Sequence, residues 1–458
     1  MLAGMPKTVD VVVLGLGVGG EAVAGGLAEA GLEVVGVEST LIGGECPYWG
    51  CIPSKMMVRS AGLLAEARRI DGMAGDATVR PDYGPVAQRI REEGTADWDD
   101  QAAAERLEGK GATLVRGVGR LTGPREVSVG DQVFHAERAV VLATGTKPSI
   151  PPIPGLADTP YWTNREAIEA KVPPDSLLVI GGGAIGLELA QAFARFGTDL
   201  TVIEAAPRIL AVEEPEASEL LAEVLPGEGI TLRTAAEISG VSHDGTRFTV
   251  VVDDDDLYGE ELLVATGRRA DPASLGLDAA GVDATGRYVE VDDQLRVADG
   301  IWAVGDVTGK GAFTHVAMYQ AAITIRSILG QDGPGADYSA LPRVTFTDPE
   351  VGAVGMTEQQ AREAGRRVRI GMTQIPTSTR GWIHKAGNEG FIKLVEDVDS
   401  GVLLGATSAG PAGGEVLGAL AVAVHAKVTT QSLRQMIYAY PTFHRAIEDA
   451  LKNLEAGQ

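Results

Sequence analysis

Two stretches of the chain share one pattern, and that pattern constrains the fold more than any other feature. "DVVVLGLGVGG" and "SLLVIGGGAIG" each run from an apolar, β-branched segment into closely spaced glycines. A strand, a tight glycine turn and a helix start together predict the phosphate-binding turn of a dinucleotide-binding domain, in which backbone N–H groups face a pyrophosphate. Two such stretches therefore predict two dinucleotide sites.

The glycines of each stretch have separate tasks. The first permits the turn, the second lets the backbone approach a pyrophosphate, and the third lets helix and strand pack closely. These residues are Gly15, Gly17 and Gly20 in the first stretch and Gly181, Gly183 and Gly186 in the second. A further apolar run ends in Glu38 after the first motif and in Glu204 after the second, about 20 residues on, where a carboxylate can accept ribose hydroxyls. The carboxylates favour dinucleotide sites over glycine packing turns in an unrelated α/β sheet.

Length and charge limit the possible domain count and partners. A chain of 458 residues exceeds what one hydrophobic core usually supports, so two or three domains are expected. The net charge of −24 repels phosphate backbones and anionic lipid, which predicts neither a nucleic-acid nor a membrane partner. The apolar start runs into a glycine turn without a cleavage site, which indicates a buried strand and a cytoplasmic protein.

The chain has 2 cysteines, Cys46 and Cys51, both within "GGECPYWGCIPSK" at residues 43–55. So few cysteines exclude a secreted disulfide framework and leave a redox, metal, nucleophilic or buried structural role. A flavin can accept the electron pair of a nicotinamide and pass it to a neighbouring disulfide, and two cysteines this close can form such a ring. Two structural thiols are the competing interpretation. Zinc is disfavoured because no second Cys/His pair at ligand spacing is present, so we expect no metal.

"GGECPYWGCIPSK" resembles the active-site signature of the flavin-dependent pyridine nucleotide-disulfide oxidoreductases, the group of dihydrolipoamide dehydrogenase, glutathione reductase and mercuric reductase. "VVLATGTKP", "LLVATGRRAD" and "IWAVGDVTG" resemble segments of that family's cofactor domains, and "FTDPEVGAVGMTE" resembles its dimerisation domain. The resemblance runs nearly end to end. It implies an α/β fold with two Rossmann-like dinucleotide-binding domains, one for FAD and one for NAD(P)H, a C-terminal α+β dimerisation domain, and a homodimer.

The resemblance also divides the chain and assigns its cofactor residues. It predicts an FAD-binding domain in two segments, 1–150 and 271–340, an NAD(P)H-binding domain at 151–270 and a dimerisation domain at 341–458. The cofactor set then includes Asp306, which would hold the ribityl chain, together with Thr144, Gly145, Gly267 and Ala317. Because a carboxylate repels a 2′-phosphate, Glu204 predicts a preference for NADH, which Arg208 would reverse only by reaching that phosphate.

Carried over residue by residue, the family's catalytic roles fall on four positions. Cys51 would lie beside the flavin as a charge-transfer thiolate, and Cys46 would be the exposed interchange thiol of a Cys46–Cys51 redox disulfide. Lys55 would pair with Glu188 near the reactive end of the flavin and tune its electronics.

The end of the chain departs from the family. Disulfide reductases carry a His-Pro-Thr segment and a following Glu from the partner subunit, whereas "YAYPTFHRAIEDAL" has Tyr440 and Arg445 at those positions. Tyrosine, with a pKa of about 10, donates a proton but is a poor base near neutrality. In a helix opened by Thr442, His444 and Glu448 would face each other and could replace the missing pair; a solvated helix face is the alternative.

The sequence therefore predicts an FAD-dependent NAD(P)H oxidoreductase that passes electrons through the Cys46–Cys51 disulfide to a small-molecule acceptor, a quinone or another electrophile. The aromatic residues Tyr48 and Trp49, between the cysteines, could stack a flat substrate. The alternatives are a dihydrolipoamide dehydrogenase-like or other small-disulfide reductase, and a non-catalytic dinucleotide sensor. Mercuric reductases carry a further C-terminal cysteine pair that this chain lacks, and flavin transhydrogenases generally lack the first active-site cysteine that it keeps.

Overall fold

A computed structural model describes residues 6–454, so the outer ends of the first and last predicted segments, 1–5 and 455–458, lie outside the described residues. The strands are, in chain order, β1 Lys7–Leu14, β2 Val34–Glu38, β3 Thr113–Arg116, β4 Gly119–Gly123, β5 Glu126–Val129, β6 Gln132–Leu142, β7 Lys147–Pro148, β8 Ser176–Ile180, β9 Asp199–Ile203, β10 Ile230–Arg233, β11 Ile238–His243, β12 Phe248–Val252, β13 Asp255–Gly259, β14 Glu261–Val264, β15 Arg268–Arg269, β16 Arg296–Ala298, β17 Ile301–Ala303, β18 Pro342–Thr345, β19 Glu350–Gly355, β20 Val368–Gln374, β21 Phe391–Asp397 and β22 Leu403–Gly410.

The α-helices are α1 Val18–Glu29, α2 Glu45–Trp49, α3 Cys51–Arg68, α4 Gly84–Arg89, α5 Gln101–Gly109, α6 Asn164–Glu169, α7 Ala184–Arg195, α8 Pro215–Gly227, α9 Thr314–Ile328, α10 Glu358–Glu363, α11 Thr379–His384, α12 Gly413–His425, α13 Thr430–Arg434 and α14 Ala446–Asn453. Short helical turns lie at Ile90–Gly94, Ala96–Trp98, Leu156–Asp158, Pro272–Leu275, Leu277–Ala280, Asp306–Thr308, Ile375–Thr377 and Phe443–Arg445. None of the helices in this described part of the chain is long and apolar enough to cross a bilayer.

The chain forms two compact units, and the first contains the residues up to Pro53 together with Gln88–Ser149 and Gly267–Asp337. Its sheet has the order β16-β17-β6-β1-β2-β3, in which all neighbours except β16 and β17 run parallel; β4 and β5 extend it as an antiparallel hairpin beside β6. Alternate residues of β1 enter separate apolar clusters on the two faces of the sheet. A valine-rich strand covered on both faces is typical of parallel sheets in α/β domains.

The second unit contains Ser54–Ala87, Ile150–Thr266 and the chain from Tyr338 onward. It has a parallel sheet of order β10-β9-β8-β14, an antiparallel sheet β11-β12-β13 and a five-stranded antiparallel sheet of order β18-β19-β22-β21-β20. Helices α12 and α14 pack on the last sheet around an apolar core.

Two sheets with parallel central strands, each with a glycine turn after one strand, and an α+β region after them confirm the predicted fold class. The division at residues 150, 270 and 340 stays a prediction.

Candidate active site

The strand register aligns the ends of the strands that form the first dinucleotide-binding site. Leu14 at the end of β1 pairs with Val37 of β2 and with Leu142 of β6, and Ala303 of β17 also pairs with Leu142. The residues that follow these strands therefore emerge at one edge of the sheet. They are Gly15 after β1, Glu38 at the end of β2, Thr144 and Gly145 after β6, and Asp306 after β17.

The first glycine turn leaves no room for a side chain where the chain bends, but it has space in front of the helix N-terminus. Gly15 has a φ of +89°, and a Cβ there would lie 2.5 Å from the Ala143 carbonyl oxygen. A Cβ at Gly20 would overlap the Gly15 carbonyl oxygen. At Gly17 the nearest atom to such a Cβ is 4.0 Å away, and no side chain caps the N-terminus of α1. This open helix start, whose first N–H groups have no partner within the helix, fits an anionic pyrophosphate.

The second turn repeats the first. Gly181 has a φ of +113° and a Cβ there would lie 2.5 Å from the Ala265 carbonyl oxygen, while one at Gly186 would overlap the Gly181 carbonyl. No atom lies within 4 Å of a Cβ placed at Gly183, and no side chain caps the N-terminus of α7. Both sites thus have the shape that a dinucleotide phosphate requires.

The two carboxylates also have matching positions. Glu38 Oε2 accepts the N–H of Leu16 at 2.7 Å, and Glu204 Oε2 accepts the N–H of Gly182 at 2.7 Å. Their other oxygens accept the N–H groups of Thr40 and Ala206, each at 2.7 Å. Each carboxylate is therefore held against the glycine turn, at the end of the neighbouring strand.

Asp306 lies in a polar cluster of the first unit. It accepts the Thr146 hydroxyl at 2.9 Å, while Arg268 donates to the Thr146 hydroxyl and carbonyl oxygens at 2.9 and 2.7 Å. Burial raises the pKa of Asp306 above its ordinary value. Gly267, beside Arg268, accepts the N–H of Ser149 through its carbonyl oxygen at 2.9 Å.

Ala317 is placed on α9, opposite α1. A Cβ at Gly19 would lie 3.2 Å from the Ala317 Cβ. The two helices therefore approach closely beside the first glycine turn.

The two thiols are adjacent and differ in environment. Cys46 lies in the short helix α2, and Cys51 is the first residue of the 18-residue helix α3, where the helix dipole favours a thiolate. A hydrogen bond with Cys51, and then burial, raise the pKa of the Cys46 thiol. Cys51 Sγ is also in hydrogen-bond contact with Thr314 Oγ1 at 3.3 Å. The hydrogen bond with Cys51 and burial therefore keep the proton on Cys46.

Lys55 and Glu188 form an ion pair in the second unit. Lys55 Nζ donates to Glu188 Oε2 at 2.5 Å, and the Glu188 side chain is only 7% exposed. Phe346 supports both partners, because its N–H donates to Glu188 Oε1 at 2.8 Å and its ring centroid lies 4.7 Å from Lys55 Nζ. Such a cation–π contact adds to the ion pair.

The C-terminal candidates are separated in the structure. Tyr440 is 65% exposed, its hydroxyl donates to Thr379 Oγ1 at 3.4 Å, and the Arg445 guanidinium lies 5.4 Å from its ring centroid. The helix predicted to open at Thr442 begins there: Thr442 is the N-cap of a 3₁₀ turn, Phe443–Arg445, and α14 continues directly from Ala446.

His444 and Glu448 do not form the displaced pair. The Glu448 carboxylate binds Arg445 at 2.8 Å and Lys452 at 3.3 Å, whereas the His444 ring contacts the Thr442 hydroxyl at 3.4 Å. The physical reason is charge, since the guanidinium of Arg445 and the ammonium of Lys452 form charge-assisted hydrogen bonds that occupy the carboxylate. Because Tyr440 stands at the position of the histidine that the family contributes from the partner subunit, the resemblance also predicts that Tyr440 lies near Cys46 of a second subunit, and this stays a prediction.

Sequence reasoning missed two residues of these clusters. Thr314 is 263 positions from Cys51 and lies in no motif that indicates a thiol partner. Phe346 begins the segment that resembles the family's dimerisation domain, and that resemblance gives no role to its ring or its N–H. Both contacts depend on tertiary folding.

The fold and the site define a redox protein with two dinucleotide sites and an adjacent thiol pair. Residues 9–321 match the family described as pyridine nucleotide-disulphide oxidoreductase, and residues 341–451 match the dimerisation domain of the same family. A dihydrolipoyl dehydrogenase of Chlorobaculum tepidum is 35% identical over 457 residues, which cover 96% of each chain. A mercuric reductase of Acidithiobacillus ferrooxidans is 35% identical over 444 residues, covering 93% of this chain and 79% of that protein.

Solved structures agree with these relatives. The Cu(II) complex of the HOCl-induced flavoprotein disulfide reductase RclA from Escherichia coli has a TM-score of 0.85 and 28% identity, covering 96% of this chain and 99% of that one. LpdA from Mycobacterium tuberculosis has a TM-score of 0.85 and 26% identity, covering 98% and 99%.

The chain belongs to the pyridine nucleotide-disulphide oxidoreductase family. It is an FAD-dependent oxidoreductase that uses NAD(P)H, and its dimerisation domain supports a homodimer. The alternative of a non-catalytic sensor is set aside.

Proposed function

We propose that the protein oxidises NADH and passes the electron pair through FAD and the Cys46–Cys51 couple to a quinone or a similar small electrophile. The reaction balances as NADH, a proton and a quinone giving NAD⁺ and a quinol. FAD supplies the step from hydride donor to thiol pair. The identity of the acceptor depends on the residues that this chain places at the acceptor site.

The main observation behind the proposal is that no His-carboxylate pair forms between His444 and Glu448 in the C-terminal segment. A disulfide substrate needs a base for its thiol proton, and a His-carboxylate pair is the usual source. Here Glu448 is bound by Arg445 and Lys452, and the His444 ring contacts the Thr442 hydroxyl and the Tyr438 ring instead of a carboxylate. Tyr440 can donate a hydrogen bond, and Arg445 beside its ring adds positive charge. A donor and a cation suit an oxygen that gains negative charge on reduction.

The preference for NADH is supported by the surroundings of Glu204. The guanidinium of Arg208 donates to Ser218 Oγ at 2.6 Å and to the carbonyl oxygens of Leu210, Ala211 and Glu213 at 3.2, 2.8 and 2.9 Å. Because these hydrogen bonds occupy its guanidinium, Arg208 is not available to bind a 2′-phosphate. The carboxylate of Glu204 then favours free ribose hydroxyls.

The test compares Tyr440→Phe with Tyr258→Phe in the holoenzyme. Tyr258 is a matched control, because its hydroxyl also makes one 3.4 Å hydrogen bond, to Asp256. We expect Tyr440→Phe to slow quinone reduction roughly fivefold, the effect of one net hydrogen bond. The rate at which NADH reduces the flavin anaerobically, with no acceptor present, should be unchanged in both variants.

The alternative acceptor, a small disulfide, is tested with lipoamide, glutathione disulfide and a quinone as parallel substrates, and with His444→Ala. If His444→Ala abolishes disulfide reduction while Tyr440→Phe changes nothing, a dihydrolipoamide dehydrogenase-like or other disulfide reductase activity replaces the proposal.

A further inference from the structure

A strained turn lies against the loop that carries the cysteines. Ala96, Asp97 and Trp98 have φ values of 50°, 59° and 57°, so three consecutive residues other than glycine occupy the left-handed region. Aspartate visits this region occasionally, but alanine and tryptophan do so rarely. Such strain persists only where surrounding contacts hold it, and it is often found at functional sites.

Trp98 and the nearby Asp100 each hold one side of the cysteine loop. Trp98 Nε1 donates to the Tyr48 carbonyl oxygen at 3.2 Å, between Cys46 and Cys51 in the chain. Asp100 Oδ2 accepts the N–H of Ile42 at 2.7 Å, just before the two glycines that precede the loop. The loop is therefore held on both sides of Cys46.

Both contacts have support of their own. Arg116 donates to Asp100 Oδ1 at 2.8 Å. Although burial acts against ionisation, the bonds from Arg116 and Ile42 lower the pKa of Asp100, so it remains an acceptor. The Tyr48 side chain is 6% exposed, which fixes the residue whose carbonyl oxygen Trp98 binds.

We propose that Trp98 and Asp100 are positioning residues that hold the cysteine loop and so favour the disulfide over the dithiol. A restrained loop keeps one sulfur at a high effective concentration beside the other. With glutathione the equilibrium is protein disulfide and two glutathione thiols giving protein dithiol and glutathione disulfide, a two-electron exchange. This inference rests on the Cys46–Cys51 couple of the proposed function and is independent of the acceptor.

The experiment equilibrates holoenzyme in glutathione buffers, quenches it with acid and counts alkylated thiols by mass spectrometry. Trp98→Phe keeps an aromatic ring and removes the N–H. The indole bond is made in the dithiol form, so its loss releases the dithiol loop and raises the entropic cost of closing the disulfide. Because one net hydrogen bond changes an equilibrium roughly fivefold, we expect a shift toward the dithiol of up to that size, which is about 20 mV for a two-electron couple.

Trp302→Phe is the matched control. The Trp302 indole also makes a single N–H bond, to Ser327 Oγ at 3.1 Å, and lies in the same unit. It should leave the thiol equilibrium unchanged. A shift of less than about twofold in Trp98→Phe, or an equal shift in Trp302→Phe, would overturn the inference. If the wild type forms no disulfide at any glutathione ratio, the proposed function itself fails.

Asp97→Gly keeps the test valid if Trp98→Phe folds poorly. Glycine adopts a φ near +59° without strain, so this variant should raise the Tm and leave the thiol equilibrium unchanged. Combining Asp97→Gly with Trp98→Phe should then restore folding while keeping the shift toward the dithiol that Trp98→Phe causes. If the double variant has the thiol–disulfide equilibrium of the wild type, the Trp98 indole does not favour the disulfide and the inference is wrong.

Discussion

Replacing Glu188 by glutamine separates the role of the Lys55–Glu188 pair in turnover from its role in stability. The variant keeps the side-chain shape and leaves an oxygen for the Phe346 N–H, which Glu188 now accepts at 2.8 Å. It removes the charge opposite Lys55, whose Nζ lies 2.5 Å from the carboxylate. The remaining ammonium is then only partly compensated by the Phe346 ring.

The expected loss of stability follows from burial. Breaking a fully buried ion pair costs about 3–5 kcal/mol, because one charge is left without a partner. The Lys55 side chain is 35% exposed, so water compensates part of that loss. We expect Glu188→Gln to lower the free energy of unfolding by about 2 kcal/mol and the Tm by about 4 °C.

Glu213→Gln is the matched control. Glu213 is likewise buried, at 6% exposure, lies in the same unit and accepts two bonds from Arg343, both at 2.9 Å. The charge lost, the change in shape and the burial are all similar. The control should therefore lose a comparable amount of stability, about 2 kcal/mol.

Turnover with NADH, measured well below both melting temperatures, should distinguish the two variants. If Lys55 and Glu188 tune electron transfer, Glu188→Gln should lower kcat about tenfold while Glu213→Gln stays within about twofold of wild type. Equal turnover in the two variants, each with its Tm lowered, would show that the Lys55–Glu188 pair is structural only, and the reasoning about its catalytic role would be wrong.

Three further results are expected. Reduced holoenzyme should show a long-wavelength absorbance band from the Cys51 thiolate, and a band retained in Cys51→Ser would contradict the assignment. Because contact with Cys51 and burial raise the pKa of Cys46, the reduced protein should lose stability as pH rises past the unfolded value of about 8.5; urea unfolding across pH should show this slope, and Cys46→Ser should remove it. NADH should give a higher kcat/KM than NADPH, with Glu204→Ala narrowing the gap by losing affinity for NADH; a wild-type preference for NADPH would refute the role given to the carboxylate.

Much of the fold and the cofactor sites could be predicted from the sequence because their requirements are local. A positive φ at Gly15 and the close approach at Gly20 depend on a few neighbouring residues, and the same holds for Gly181 and Gly186. The continuous apolar, β-branched runs that form strands buried on both faces are also a short-range pattern. Only the family resemblance predicts the Lys55–Glu188 pair, because its members are 133 positions apart.

The tertiary structure alone decided which side chains meet across long separations. No sequence pattern indicates that the Thr314 hydroxyl lies beside Cys51 or that the Trp98 indole binds the cysteine loop. Hydrogen-bond partners that are distant in sequence are brought together by tertiary packing. Glu448 shows the same limit at short range: its spacing allowed a bond with His444, yet the carboxylate binds Arg445 and Lys452 because full positive charges are the stronger partners.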